Sequence, residues 1–166
     1  MIHNERTLDI EAPPEKVWAV LDRFMEIDAF HPSITSVEVL SKEKVGVGAS
    51  RKCNFTDGTS VVEDVVAWQP GTSYRVRLSQ FSMPLKEAYA ELSVEPKAGG
   101  GSRARMAMDY RVKFGPVGWL MGQTMMKAMT GKIFAGVLGS LDEYVRSQQA
   151  GPEAAGPPAR PGGLAG

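Results

Sequence analysis

Between Ile34 and Phe114 apolar residues recur at every second position, and beyond Gly115-Pro116 they recur at every third or fourth. That change of period constrains the chain more than anything else in it. It demands a series of strands followed by one long helix. The last strand is the most explicit. Ala104, Met106, Met108, Tyr110, Val112 and Phe114 share one face, while Arg103, Arg105, Asp109, Arg111 and Lys113 share the other with Ala107. A slip of one residue would expose every large apolar group, so its register is firmly specified. Five further strands are predicted over 36–41, 49–56, 60–68, 73–81 and 86–94. The turn signals between them are Gly46–Gly48, Asp57-Gly58, Pro70-Gly71, Pro84 and the glycine run 99–101.

After Pro116 the helix is expected to begin between Val117 and Gly122 and to reach about Ser147, with Met126, Met129, Ile133, Val137, Leu141 and Tyr144 as one continuous stripe. Gly122, Gly131, Gly136 and Gly139 each cost an isolated helix about 1 kcal/mol against Ala, so packing must hold it together. Upstream, residues 6–11 alternate as a short first strand. Pro13-Pro14-Glu15 then opens a helix whose stripe is Val17, Trp18, Leu21 and Phe24. A second short helical turn spans 25–30 and is stopped by Pro32. Consecutive strands joined by short turns imply an antiparallel sheet with the long helix on one face, an α+β fold. One domain is expected over 1–148. Residues 149–166 are Pro-, Gly- and Ala-rich with no aromatic or β-branched residue to bury, and they read as a disordered tail.

Charge narrows the function. Lys plus Arg number 19 and Asp plus Glu number 19, so no basic excess marks a nucleic-acid binder. Cys53 is the only cysteine, which excludes an internal disulfide and favours a reducing compartment. The polar N-terminus lacks a signal-peptide core, and Lys127 and Lys132 interrupt the richest apolar stretch, so a cytoplasmic protein without stable membrane insertion is expected. No Cys/His cluster has metal-ligand spacing, and no phosphate loop, dinucleotide fingerprint or nucleophile elbow occurs. The sequence therefore calls for no metal and no cofactor.

Several short pieces occur in a telling order: Ala12-Pro13-Pro14-Glu15-Lys16-Val17-Trp18, Phe30-His31-Pro32-Ser33-Ile34, Gly48-Ala49-Ser50-Arg51, Asp57-Gly58 followed by Glu63, and Gly101-Ser102-Arg103. In this the chain resembles the START-like, or SRPBCC, superfamily and its polyketide cyclase/dehydrase branch, over residues 3–146. The resemblance implies the helix-grip fold. In that fold a curved antiparallel seven-stranded sheet wraps around the long C-terminal helix, two short helices lie between strands 1 and 2, and a cavity separates sheet from helix. It also implies a hydrophobic small molecule, lipid-like or aromatic, as partner. Because the superfamily holds carriers, cyclases and regulators alike, the fold leaves the activity open.

Placed on that fold, Met106, Met108 and Tyr110 are expected to face Met126, Met129 and Ile133 across the cavity, with Met121 and Met125 at its mouth. Methionine repacks readily around varied guests. Tyr74 also falls on the apolar parity of its strand and can offer a hydroxyl, whereas Tyr89 falls on the polar parity with Glu87 and Glu91. Arg51 and Glu63 face each other if Thr56-Asp57-Gly58 forms a three-residue loop. A two-residue loop instead sets Lys52 against Glu63 and Arg51 against Asp64. The first is preferred because the resemblance pairs Arg51 with Glu63. On the concave face the two would orient a ligand's polar end; on the convex face they would be a solvated pair. His31 is a candidate proton carrier or a brace for the turn before Pro32. Three functions remain open. The first is binding or carriage of the guest without catalysis. The second is cyclisation or dehydration of a confined polyketide-like chain, with His31 and Glu63, and after them Arg51 and Tyr110, as acid or base. The third is a docking module for a protein or membrane, whose mark would be an exposed apolar patch over Val117–Met121.

Overall fold

The computed structural model of the protein describes residues 1–150, and the tail foreseen from 149 onward falls, beyond Ala150, outside them. Seven strands form one antiparallel sheet: β1 (Ile2–Ile10), β2 (Ile34–Val39), β3 (Ser50–Phe55), β4 (Ser60–Gln69), β5 (Ser73–Ser79), β6 (Leu85–Pro96) and β7 (Ser102–Val112). Their order is β1-β7-β6-β5-β4-β3-β2, so every neighbour but β1–β7 is joined by its own turn. Between β1 and β2 lie helix α1 (Pro14–Leu21) and a short 3-10 helix (Phe24–Ala29). After β7 the chain is helical from end to end: α2 (Gly115–Met121), one π turn (Gly122–Met126) and α3 (Lys127–Gln149). This is the helix-grip fold that the sequence implied, with β1 beginning earlier and the long helix starting at Gly115 rather than beyond Val117.

The β3–β4 hairpin resolves the open register. Phe55 N donates to Thr59 O at 2.8 Å, Gly58 takes φ +85°, and the loop is the three residues Thr56-Asp57-Gly58. Asp57 Oδ1 accepts from both the amide and the hydroxyl of Thr59, which tightens the turn. Arg51 accordingly stands opposite Glu63.

At the other end of the sheet β7 keeps the foreseen parity as far as Val112. Phe114 does not follow it. The strand has ended, Phe114 takes φ 72° and Gly115 φ 57°, and the Phe114 ring is exposed. Two successive left-handed residues swing the chain out of the sheet and into the helix, and the Phe114 side chain points outward as a result.

Two apolar clusters fill the concave side. The larger joins α1, the 3-10 helix and the middle strands to the C-terminal half of α3 through Val137, Leu138, Leu141 and Val145. Its centre is aromatic: Trp68 stacks on Tyr74 with centroids 5.5 Å apart, and Phe24 meets Tyr74 edge-on at 5.4 Å. The smaller comprises Ile2, Leu85, Ala88, Met108, Tyr110 and Phe134.

The helix reaches this second cluster through small residues. A Cβ on Gly122 would lie 2.6 Å from Ile2 Cδ1 and 3.1 Å from Val112 Cγ1, so a larger residue there would have to displace those side chains. Tyr110 donates its hydroxyl to Gly122 O at 2.7 Å, which satisfies a carbonyl at the π turn. Asn4, buried on β1, donates to Lys127 O at 2.9 Å and Thr130 Oγ1 at 2.6 Å. These bonds tie the start of α3 to the β1 edge rather than to the middle of the sheet.

Candidate functional site

The concave face holds one charged pair. Arg51 is 1% exposed, among the most buried side chains of the protein. Its guanidinium lies 3.8 Å from the centre of the Phe24 ring and donates through Nη1 to the Phe24 carbonyl. Nε and Nη2 both donate to Glu63 Oε2, Nε at 2.7 Å. Burial by itself would lower the Arg51 pKa, but Glu63, with smaller help from Tyr74 and Cys53, outweighs it and leaves the group above its ordinary value. Because both donors converge on Oε2, Glu63 Oε1 is not engaged by any hydrogen bond among the described residues.

His31 stands beside this pair. It follows the 3-10 helix, where its amide closes the last turn on Ile27 O at 2.9 Å. Ser33 N donates to His31 Nδ1 at 3.2 Å, so in the neutral ring the proton sits on Nε2. Burial pushes its pKa down to about 4, opposed by Glu63 and assisted by Arg51, so near neutral pH the ring is uncharged. No group among the described residues accepts from Nε2. The site thus presents one free donor, His31 Nε2–H, and one free acceptor, Glu63 Oε1, on the same wall.

Around them the wall is largely apolar: Ile27, Tyr74, Val76, Leu92, Met106 and Val137 line the same recess. Ala90 and the edge of Glu91 complete it. Its volume is about 40 Å3, room for roughly one water molecule. Burial lifts the Tyr74 hydroxyl to about 12 and the Cys53 thiol to about 12, so both stay protonated.

Of the residues singled out from the sequence, Arg51, Glu63, Tyr74, Met106 and His31 meet here. The others do not. Met108 and Tyr110 belong to the second cluster, where the Tyr110 hydroxyl is committed to Gly122. Met126 packs against that cluster from outside. Met121, Met125, Met129 and Ile133 are exposed. The expectation that Met129 and Ile133 face into the cavity, with Met121 and Met125 at its mouth, is corrected by how the helix sits: Gly118, Gly122, Thr130 and Gly131 are the buried positions of this stretch, because the helix is pulled close to β1 and β7. Small residues face inward there and the long methionines face out.

Tyr89 lies on the convex face, under Arg75 at 5.0 Å, as its parity indicates. From the sequence, Phe24 and Val137 stand only as members of helical stripes, and Val76 has no assigned role. The alternation of Tyr74, Val76 and Leu78 could have placed Val76, but nothing local marks Phe24 as the platform for a guanidinium.

Comparison with known proteins agrees with this architecture. The family model described as polyketide cyclase / dehydrase and lipid transport matches residues 1–146. The aromatase/cyclase Zhui from Streptomyces sp. R1128 superposes with a TM-score of 0.76 at 14% identity, covering 94% of this chain and 99% of that one. The protein XoxI from Bacillus cereus gives 0.73 at 16% identity, over 90% of this chain and 99% of that one. Ara h 8.0201 gives 0.64 at 22% identity, over 88% and 98%. No curated protein matches the chain in sequence. The solved structures share the fold; the family model, spanning both the sheet and the long helix, establishes that this chain belongs to the polyketide cyclase/dehydrase and lipid transport family.

Proposed function

We propose that the protein binds a hydrophobic small molecule carrying a hydroxyl or enol end, seated between the sheet and α3 with that end against His31 and Glu63. The observation that carries this reading is the unspent hydrogen-bonding capacity of the recess. A hydroxyl donates to Glu63 Oε1 and accepts from His31 Nε2–H, while the remainder of the guest meets Ile27, Val76, Leu92, Met106 and Val137. A buried ion pair is a poor device for stability alone, and one opening onto an apolar recess is typical of a binding site. Arg51 aims Glu63 through two hydrogen bonds to Oε2. Its guanidinium rests on Phe24 and forms part of the same wall.

A cavity that admits benzene measures roughly 150 Å3. The guest-sized hollow expected between sheet and helix is therefore not open in this recess of about 40 Å3, and uptake must widen it. Met106, flexible and half-buried, is the wall residue best able to give way. Native mass spectrometry of freshly purified protein, followed by titration with long-chain alcohols and polycyclic phenols, tests the reading. A co-purified hydrophobe, or micromolar binding of hydroxylated ligands that weakens in Glu63→Gln, supports it. Equal indifference to every ligand of the panel removes it.

The same donor and acceptor also favour a second reading, cyclisation of a confined polyketide-like chain. There neutral His31 would polarise a carbonyl and Glu63 would take a proton. Its mark is turnover of a poly-β-ketone substrate that His31→Ala abolishes while the fold persists.

A further inference from the structure

Beside its buried face the helical run from Gly115 turns large apolar groups to solvent. Val117, Met121, Met125, Met129 and Ile133 follow one another at every fourth residue, with Val117 70% and Met125 69% exposed. Phe114, Trp119 and Leu120 extend the row at its start. From residue 114 to 133 this is about 28 Å of helix at 1.5 Å per residue. Soluble chains rarely leave an apolar strip of that length uncovered.

Its charges are equally one-sided. From Tyr110 to Leu141 the chain carries four cations, Arg111, Lys113, Lys127 and Lys132, and no carboxylate, although the whole protein is formally neutral. None of the four forms an ion pair among the described residues. At the start of the helix a notch of about 170 Å3 opens between Ile2, Val112 and Trp119, with Arg111 beside it.

From this combination we infer that the strip docks on the surface of an anionic lipid bilayer, with the helix lying in the interfacial plane. A helix with large apolar groups on one side, Lys and Arg near them and a tryptophan at one end suits the boundary between headgroups and acyl chains. Interfacial binding needs no spanning segment, and no helix among the described residues is long and apolar enough to span. A second copy of the chain fits less well. A two-fold contact sets the same patch against itself, and residues 110–141 supply four cations and no carboxylate to pair them. The bilayer inference stands apart from the proposed cavity function, since none of the strip residues lines that recess.

The test uses the full chain and vesicles of two compositions, pure phosphatidylcholine and phosphatidylcholine with about 30% phosphatidylglycerol. Co-sedimentation is expected with the anionic vesicles only and should weaken as salt is raised. Lys127→Gln with Lys132→Gln should lower binding about thirtyfold, at roughly 1 kcal/mol per cation near the surface. Val117→Ser with Met125→Ser should lower it as well, with thermal unfolding showing that both variants fold. Failure of the wild type to sediment with anionic vesicles overturns the inference, as does equal sedimentation with both compositions. So does a concentration-dependent dimer that Met125→Ser dissolves in a protein indifferent to vesicles.

Discussion

The two faces of the sheet use the same ionic chemistry for opposite ends. On the concave side one pair, Arg51–Glu63, lies with side chains 1% and 13% exposed, and His31 beside it is held neutral by burial. On the convex side six charged or titratable groups form a lattice across β1, β7, β6 and β5. Arg105 bridges Glu5 and Glu91, Arg75 bridges Glu91 and Asp109, and His3 bridges Glu5 and Asp109. The convex lattice is more numerous, but water screens every member of it. The concave pair has two partners and a ring, and little solvent to replace them. Number of contacts is therefore a poor guide to what each face contributes; solvent access decides it.

The sharpest way to break this contrast is to remove one partner inside. Arg51→Met leaves Glu63 buried without its cation and should cost about 3–5 kcal/mol in urea unfolding, whereas Arg51→Met combined with Glu63→Leu should recover most of that loss. If the single variant costs no more than a surface substitution, the concave pair is not special.

The second test is acid. His31 has a folded pKa of about 4 against an unfolded value near 6.5, so the unfolded state binds the proton first. Stability is fully present above about pH 6.5 and falls as pH drops toward 4, by about 3 kcal/mol in all. Unfolding curves across that range should lose this slope in His31→Gln.

The convex lattice should respond much less. Arg105→Ala removes two ion pairs, with Glu5 and Glu91, yet is expected to shift stability by no more than about 1 kcal/mol, and by less in high salt. A larger, salt-insensitive loss would show that the lattice acts as a cooperative network.

The smallest effect, and of opposite sense, belongs to His3. The hydrogen bond that it donates to Asp109, then the one to Glu5, raises its pKa. Its contribution is complete below the unfolded value and disappears as pH rises through the folded one. Thermal unfolding should thus show a slight gain on mild acidification that His3→Gln abolishes, the reverse of the His31 response. Comparing His3→Gln with His31→Gln over one pH series separates the two faces within a single experiment.

Much of the molecule was legible before the structure. The parity of β7 and the inward parity of Tyr74 follow from local rules, because a strand's alternation acts over a few residues. The Asp57-Gly58 turn signal left two loop lengths open, the resemblance favoured the one that sets Arg51 opposite Glu63, and the structure settled it. The methionine stripe was legible only as a stripe. Its spacing identified an apolar side of the helix, and the structure buries a neighbouring side made of Gly118, Gly122, Thr130 and Gly131.

The sequence by itself determined the α+β class, the order of the strands along the chain and the alternation within them, since each is set by contacts between near neighbours in the chain. Only the tertiary structure decided that Arg51 rests on Phe24, that His31 keeps a free N–H beside Glu63, and that the methionines of the long helix look outward. Those outcomes depend on how closely distant segments can approach. The buried positions at the start of the helix are Gly118, Gly122, Thr130 and Gly131, so its small residues rather than its large apolar ones meet the sheet.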